Sequence, residues 1–182
     1  DFRKVVKEAN PDALILAEHY GDATSWLSGD QWDTVMNYDA FMEPVSWFLT
    51  GLEKHSEQKD DHLLHNSQAF MCSMLSNMSR MQTGSLYAAM NELSNHDHSR
   101  FLTRTNRVVG RLYKPEDAED AEIGVNYGTF RSGAVIQMTW PGAPTIYYGD
   151  EAGVFGWTDP DNRRTFPWGK EDLELTEFHR YL

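Results

Sequence analysis

Four short apolar runs, each closing on a cluster of acids, histidines or tyrosines, constrain the fold of this chain more than any other feature. Ala13-Leu14-Ile15-Leu16-Ala17 runs into Glu18-His19-Tyr20-Gly21-Asp22, and Trp32 to Tyr38 closes on Asn37, Tyr38 and Asp39. Met90 to Ser94 closes on Asn95-His96-Asp97-His98, and Pro144 to Tyr148 on Gly149-Asp150-Glu151. An unbroken apolar run of strand length suits a strand covered on both faces, as in a parallel sheet flanked by helices. Helical spacing fills the intervals. Phe2, Val5, Val6 and Ala9 predict a first helix that Asn10-Pro11 ends, and Pro44 to Gly51, His62 to Met81, Tyr127 to Met138 and Asp172 to Leu182 predict four more. Strands alternating with helices make the fold class α/β.

Polar chemistry gathered at strand C-terminal ends fits a TIM-type (β/α) barrel, whose active sites occupy that face, and also an open doubly wound sheet. No run here is followed by the glycine-rich phosphate loop of a nucleotide-binding open sheet, which favours the barrel. A complete barrel has eight strands and about 250 residues. With 182 residues and four runs, the expectation is half of a barrel, about four parallel strands with covering helices.

Charge narrows the partners. Lys and Arg total 16 against 28 Asp and Glu, a formal charge of -12, which repels phosphate backbones and anionic lipid. Neither nucleic acid nor a membrane is an expected partner, and no run approaches the roughly 20 apolar residues of a membrane helix. Cys72 is the single cysteine, so neither an intrachain disulfide nor a cysteine zinc site can form. The 6 Trp and 8 Tyr either line a site for flat ligands such as sugar rings or fill the core. The stretch from Lys114 to Glu122 reads as a solvated acidic loop.

Among the strand-end clusters, a carboxyl at the position of Glu18 is either a partly desolvated general acid or a helix cap. His96 and His98 flank Asp97 and would point to opposite faces of an extended chain, so both reach one metal only if the backbone bends. Without a bend, Asp97 and His96 suit hydrogen bonding to sugar hydroxyls, with Arg100 holding the loop or keeping Asp97 ionised. Tyr147 and Tyr148 alternate faces, while Asp150 and Glu151 suit loop fixing by capping and ion pairing. Asp159-Pro160 signals a tight turn, from which Asp159 and Arg163 either reach one ligand or pair with each other. Trp157 and Trp168 either stack on a sugar or belong to the core.

Together these segments resemble the α-amylase family of glycoside hydrolases, nearest its neopullulanase, cyclomaltodextrinase and maltogenic amylase group. Ile15-Leu16-Ala17-Glu18 resembles the fifth-strand motif, and the stretch from Gly29 to Tyr38 the entry to the sixth strand. Ser94-Asn95-His96-Asp97 followed by Arg100-Phe101-Leu102 resembles the seventh strand, and Pro141 to Glu151 the eighth, with Asp159 to Arg163 as the substrate loop behind it. The resemblance implies retaining hydrolysis of α-1,4, in some members α-1,6, glucosidic bonds in starch-like oligosaccharides, cyclodextrin or pullulan. It makes Glu18 the acid/base and Asp97 a further catalytic acid that grips sugar hydroxyls, with His96, Tyr20, Asp159 and Arg163 as substrate-binding residues. Tyr20 stands where the nearest group usually has Trp.

The resemblance places all of residues 1–182 in the C-terminal half of the catalytic barrel, with the first four strands and the nucleophilic Asp outside it. The expectations are that this chain alone is inactive and that the missing half, or a second copy, covers the open strand edges. It implies an α-glucan oligosaccharide as ligand and no cofactor held by these residues; calcium belongs to the wider family, with no ligand set placed here. One cysteine and the mostly intracellular group lean toward the cytoplasm, with secretion the alternative. Two other readings stand beside it: a non-catalytic carbohydrate-binding or assembly fragment, and a metal-dependent barrel hydrolase using Glu18, His96 and His98.

Overall fold

The computed structural model describes residues 1–111 and 115–182, the backbone alone at 115–117; Lys114 lies outside the described residues. Four short parallel strands follow one another: β1 (Leu16–Ala17), β2 (Thr34–Val35), β3 (Met90–Asn91) and β4 (Ala143–Pro144). Leu16 lies opposite Thr34 and Ala17 opposite Val35; Met90 lies opposite Ala143 and Asn91 opposite Pro144. A parallel bridge between Met36 and Met90, with the Asn37 N–H donating to the Met90 carbonyl at 3.0 Å, joins the two pairs. The ladder therefore runs in chain order, as consecutive staves of a barrel do.

Helix α1 (Phe2–Ala9) precedes β1, and α2 (Glu43–Thr50), α3 (Ser67–Met78) and α4 (Thr83–Ala88) separate β2 from β3. Helices α5 (Phe101–Arg104) and α6 (Tyr127–Thr139) separate β3 from β4, and α7 (Leu173–Tyr181) closes the chain. The predicted helix over 62–81 is shortened because Asn66 caps α3, its side-chain oxygen accepting the Ala69 N–H at 3.0 Å. His65 before it is at φ +56° and cannot belong to the helix. Pro115–Glu122 forms a 3-10 helix rather than a loop, and Ala121 within it is fully buried, so the segment is not merely solvated.

The strands are shorter than the apolar runs and not covered throughout. Ile15 is buried, but Leu14 and Ile146 are exposed, because β1 and β4 end the ladder and no further strand pairs with them among the described residues. The main core lies under the helices: Phe41, Val45 and Leu49 meet Met74, Leu93, Phe101, Phe130 and Leu175. A second cluster, with Met36, Tyr38 and Met42 packed against Leu16 and Met90, sits directly beneath the strand ends. Asp33 fastens β1 from outside. It accepts the Ile15 N–H at 2.8 Å, Arg3 at 2.7 Å and Lys7 at 2.9 Å. Partial burial opposes its ionisation, but these donors outweigh that and hold its carboxyl at about 2. Among the described residues no helix is long and apolar enough to cross a membrane.

Candidate active site

Glu18 follows β1 directly, and the 95–98 loop follows β3, so one side of the ladder collects both. One carboxylate oxygen each of Glu18 and Asp97 and a ring nitrogen of His96 all lie within 4.8 Å of one another. His96 stands between the two acids, its Nε2 at 3.4 Å from Glu18 Oε1 and 3.6 Å from Asp97 Oδ1. The Glu18 side chain is 39% exposed, so the desolvation expected of it is not supplied by these residues.

The 159–163 loop is stitched onto the same place. Its Asp159–Pro160 peptide is cis, and the Asp159 N–H donates to the Asp97 carbonyl at 3.2 Å. Buried Asn162 donates to the carbonyls of Asn95 at 3.0 Å and His98 at 2.8 Å. Arg163 and Asp159 pair with each other, Nε meeting Asp159 Oδ1 at 2.9 Å, and Nη2 also lies 3.7 Å from Asp97 Oδ1. A third contact, from Nε to the His96 carbonyl at 2.9 Å, ties it to the 95–98 loop. Three carboxylates, of Glu18, Asp97 and Asp159, thus gather around one guanidinium and one imidazole.

Arg100 holds the loop and is not paired with Asp97. Fully buried, it donates to Asp150 Oδ1 at 2.9 Å, the Tyr148 carbonyl at 2.7 Å and the Asn162 carbonyl at 2.9 Å. Its guanidinium lies 4.1 Å from the Tyr147 ring centroid and 4.8 Å from that of Tyr148. Asp150 and Glu151 do fix their loop, Glu151 by accepting the Gly149 N–H at 2.8 Å. Trp157 is buried, while Trp168 is 82% exposed and its ring lies tilted against Phe166 at 4.5 Å between centroids.

His98 does not converge with Glu18. The backbone turns it inward, fully buried, against Tyr38 and His55, with Nε2 at 3.3 Å from the Tyr20 hydroxyl. Burial and the neighbouring His55 push it down to about 2, so it is neutral. A metal trio of Glu18, His96 and His98 is therefore not formed. Glu18, His96 and Asp97 are close, but two oxygens and an imidazole do not fit calcium, which takes six to eight oxygen ligands.

Tyr20 lies over the site's floor, stacked on Tyr38 at 4.9 Å and under Lys54 Nζ at 5.8 Å. Burial, with Asp97 and Glu18 nearby, pushes its hydroxyl pKa up. Tyr38, Asn95, Glu92 and Asn162 escape sequence reasoning as parts of the site. Tyr38 donates to Glu18 Oε1 at 2.9 Å, and Asn95 donates to Tyr38 at 2.9 Å and to Glu92 at 3.0 Å. Each stands in or beside one of the apolar runs or in the 159–163 loop, yet nothing in spacing shows that Tyr38 meets Asn95 across 57 positions or Asn162 meets Asn95 across 67.

A parallel ladder in chain order with acids collected beyond its strand ends defines part of a (β/α)-barrel catalytic domain. The family description "Alpha amylase, catalytic domain" matches residues 1–176, and the chain belongs to that family. It is 37% identical to neopullulanase 2 of Thermoactinomyces vulgaris, over all of this chain and 26% of that protein. It is 36% identical to an amylopullulanase of Thermoanaerobacterium saccharolyticum, over 98% of this chain and 14% of that protein. Among solved structures it is similar to a debranching enzyme of Nostoc punctiforme, at 30% identity and a TM-score of 0.74 over 98% of this chain and 34% of that one. The chain thus spans about a quarter or less of the curated relatives' length and about a third of that structure.

Proposed function

We propose that these residues supply the acid/base side of a retaining α-glucan hydrolase acting on α-1,4, and in branched or pullulan-like chains α-1,6, bonds. The observation that carries this is the approach of Glu18 and Asp97 within 4.8 Å around His96, beyond β1 and β3. The names of the relatives support the substrate class: starch-like oligosaccharides, cyclodextrin and pullulan. Glu18 gives its proton to the glycosidic oxygen as the C1–O bond breaks, then takes a proton from the water that resolves the glycosyl-enzyme. Asp97 and His96 hold hydroxyls of the distorted sugar, Asp159 and Arg163 hold units toward the non-reducing end, and Tyr20 stacks on the acceptor side. The nucleophilic carboxylate comes from outside these 182 residues, so the segment by itself releases no sugar from maltooligosaccharides.

In the full-length protein, Glu18→Gln lowers kcat on maltooligosaccharides by about 10²–10⁴-fold, with KM little changed. Asp97→Asn also loses kcat. Near-normal turnover of an unactivated glucan by Glu18→Gln removes the residue from this role, and with it the reading.

A further inference from the structure

Behind Glu18 runs a hydrogen-bonded chain whose direction can be read atom by atom. Asn95 Oδ1 accepts the N–H groups of Asp97 and His98, both at 3.0 Å. Backbone donors cannot reverse, so the other end of the Asn95 side chain is its NH₂ group. That nitrogen only donates, one proton to Glu92 Oε1 at 3.0 Å and one to the Tyr38 hydroxyl at 2.9 Å. The Tyr38 oxygen is therefore an acceptor from Asn95, and its own proton is directed at Glu18 Oε1, 2.9 Å away. Met36 Sδ at 3.4 Å competes for it only weakly. Tyr38 is 1% exposed, so solvent does not rearrange this order.

On the assignment of Glu18 as the acid/base, we infer that Tyr38, aligned by Asn95, is a positioning residue that reserves Oε1 as an acceptor, so that the transferable proton of Glu18 is carried on Oε2. When Oε2 passes its proton to the glycosidic oxygen, the electron pair of the breaking C1–O bond goes to that oxygen and the carboxyl becomes a carboxylate. The Tyr38 hydrogen bond then becomes charge-assisted and strengthens with the transition state. The other groups facing Glu18 are Tyr20 on its own loop, His96 and Asp97 beyond β3, and Glu92 behind Asn95.

The test is the pH profile of kcat/KM for the full-length protein on a maltooligosaccharide, whose alkaline limb reports the acid in the free enzyme. Tyr38→Phe removes one buried oxygen and deprives the carboxylate of its donor. The limb moves up by about one pH unit and kcat falls about tenfold, with KM little changed. 3-Fluorotyrosine incorporated at position 38 keeps the shape, donates more strongly and moves the limb down, which tests the chain even where Tyr38→Phe fails to fold. A limb that stays in place in these proteins, with kcat lowered equally at every pH, shows a merely structural Tyr38 and overturns the inference. Activity retained by Glu18→Gln sinks the functional reading instead, and the two failures are thereby separate.

Discussion

Glu92, buried just past β3, carries a pH signature that one substitution can isolate. Burial pushes its carboxyl up to about 8, with the Asn95 hydrogen bond opposing and the charges of Glu18 and Asp150 reinforcing the shift. An acid whose folded pKa is raised stabilises the fold fully below its unfolded value, near 4.5, and that stability is lost as pH rises through about 8. Neutral His98 has the opposite slope, adding stability as pH rises from about 2 to 6.5. The two oppose each other between 4.5 and 6.5, so the clean window for Glu92 is 6.5 to 8. Glu92→Gln keeps an acceptor for Asn95 and cannot ionise. In the full-length protein its unfolding free energy therefore gains on the wild type by a few kcal/mol between pH 5 and pH 9, on the order of what such a shift allows. Parallel pH dependence in the two proteins refutes this. Glu18 and Asp97 were legible as acids at apolar run ends, but the wiring behind them was not. A run such as Met90 to Ser94 reads as apolar, and the burial that makes its Glu92 unusual exists only once folding places it beside Asn95, Glu18 and Asp150.

Helices of a dozen residues with clear caps were readable, whereas α4 and α5 were not, being held by tertiary contacts rather than by periodicity. Helix α5 shows why such an element matters. Its first residue, Phe101, donates its N–H to Ser94 Oγ at 2.9 Å, and its ring meets α6 at Gly133. A Cβ on Gly133 would lie 2.5 Å from Phe101 Cε1 and 3.3 Å from Leu93 Cδ1. Phe101 is fully buried and cannot swing away. Ala in a helix gains about 1 kcal/mol of propensity over Gly, but overpacking costs about 1–3 kcal/mol, so Gly133→Ala is destabilising. Displacing Phe101 also disturbs the 95–100 loop, so kcat falls with the melting temperature. Gly84 in α4 meets open space and has no positive φ, and Gly84→Ala is stabilising by up to about 1 kcal/mol. Melting both variants of the full-length protein checks the pair, and shifts of equal sign contradict the packing argument.

Four apolar runs were enough to read a half barrel, because parallel pairing in chain order needs only strands separated by crossovers. The open strand edges expected of a half barrel are accompanied by exposed apolar side chains at both ends of the ladder. Helix α1 has no buried residue, and Phe2 is 73% exposed with Val5 and Leu14 beside it in sequence also exposed. At the other end of the ladder Ile146 and Tyr148 are exposed, and neither β1 nor β4 has an outer strand among the described residues. Apolar surface and unpaired strand edges both favour association, while a charge of -12 opposes it. Salt separates the terms, since the Debye length contracts from about 10 Å at 0.1 M to about 3 Å at 1 M while apolar burial is not screened. The 182-residue segment produced alone therefore sediments above its 20.9 kDa monomer mass, and the excess grows with salt. If the surface is instead satisfied within one chain, sedimentation gives a 20.9 kDa species at every salt concentration, and the need for a covering partner falls.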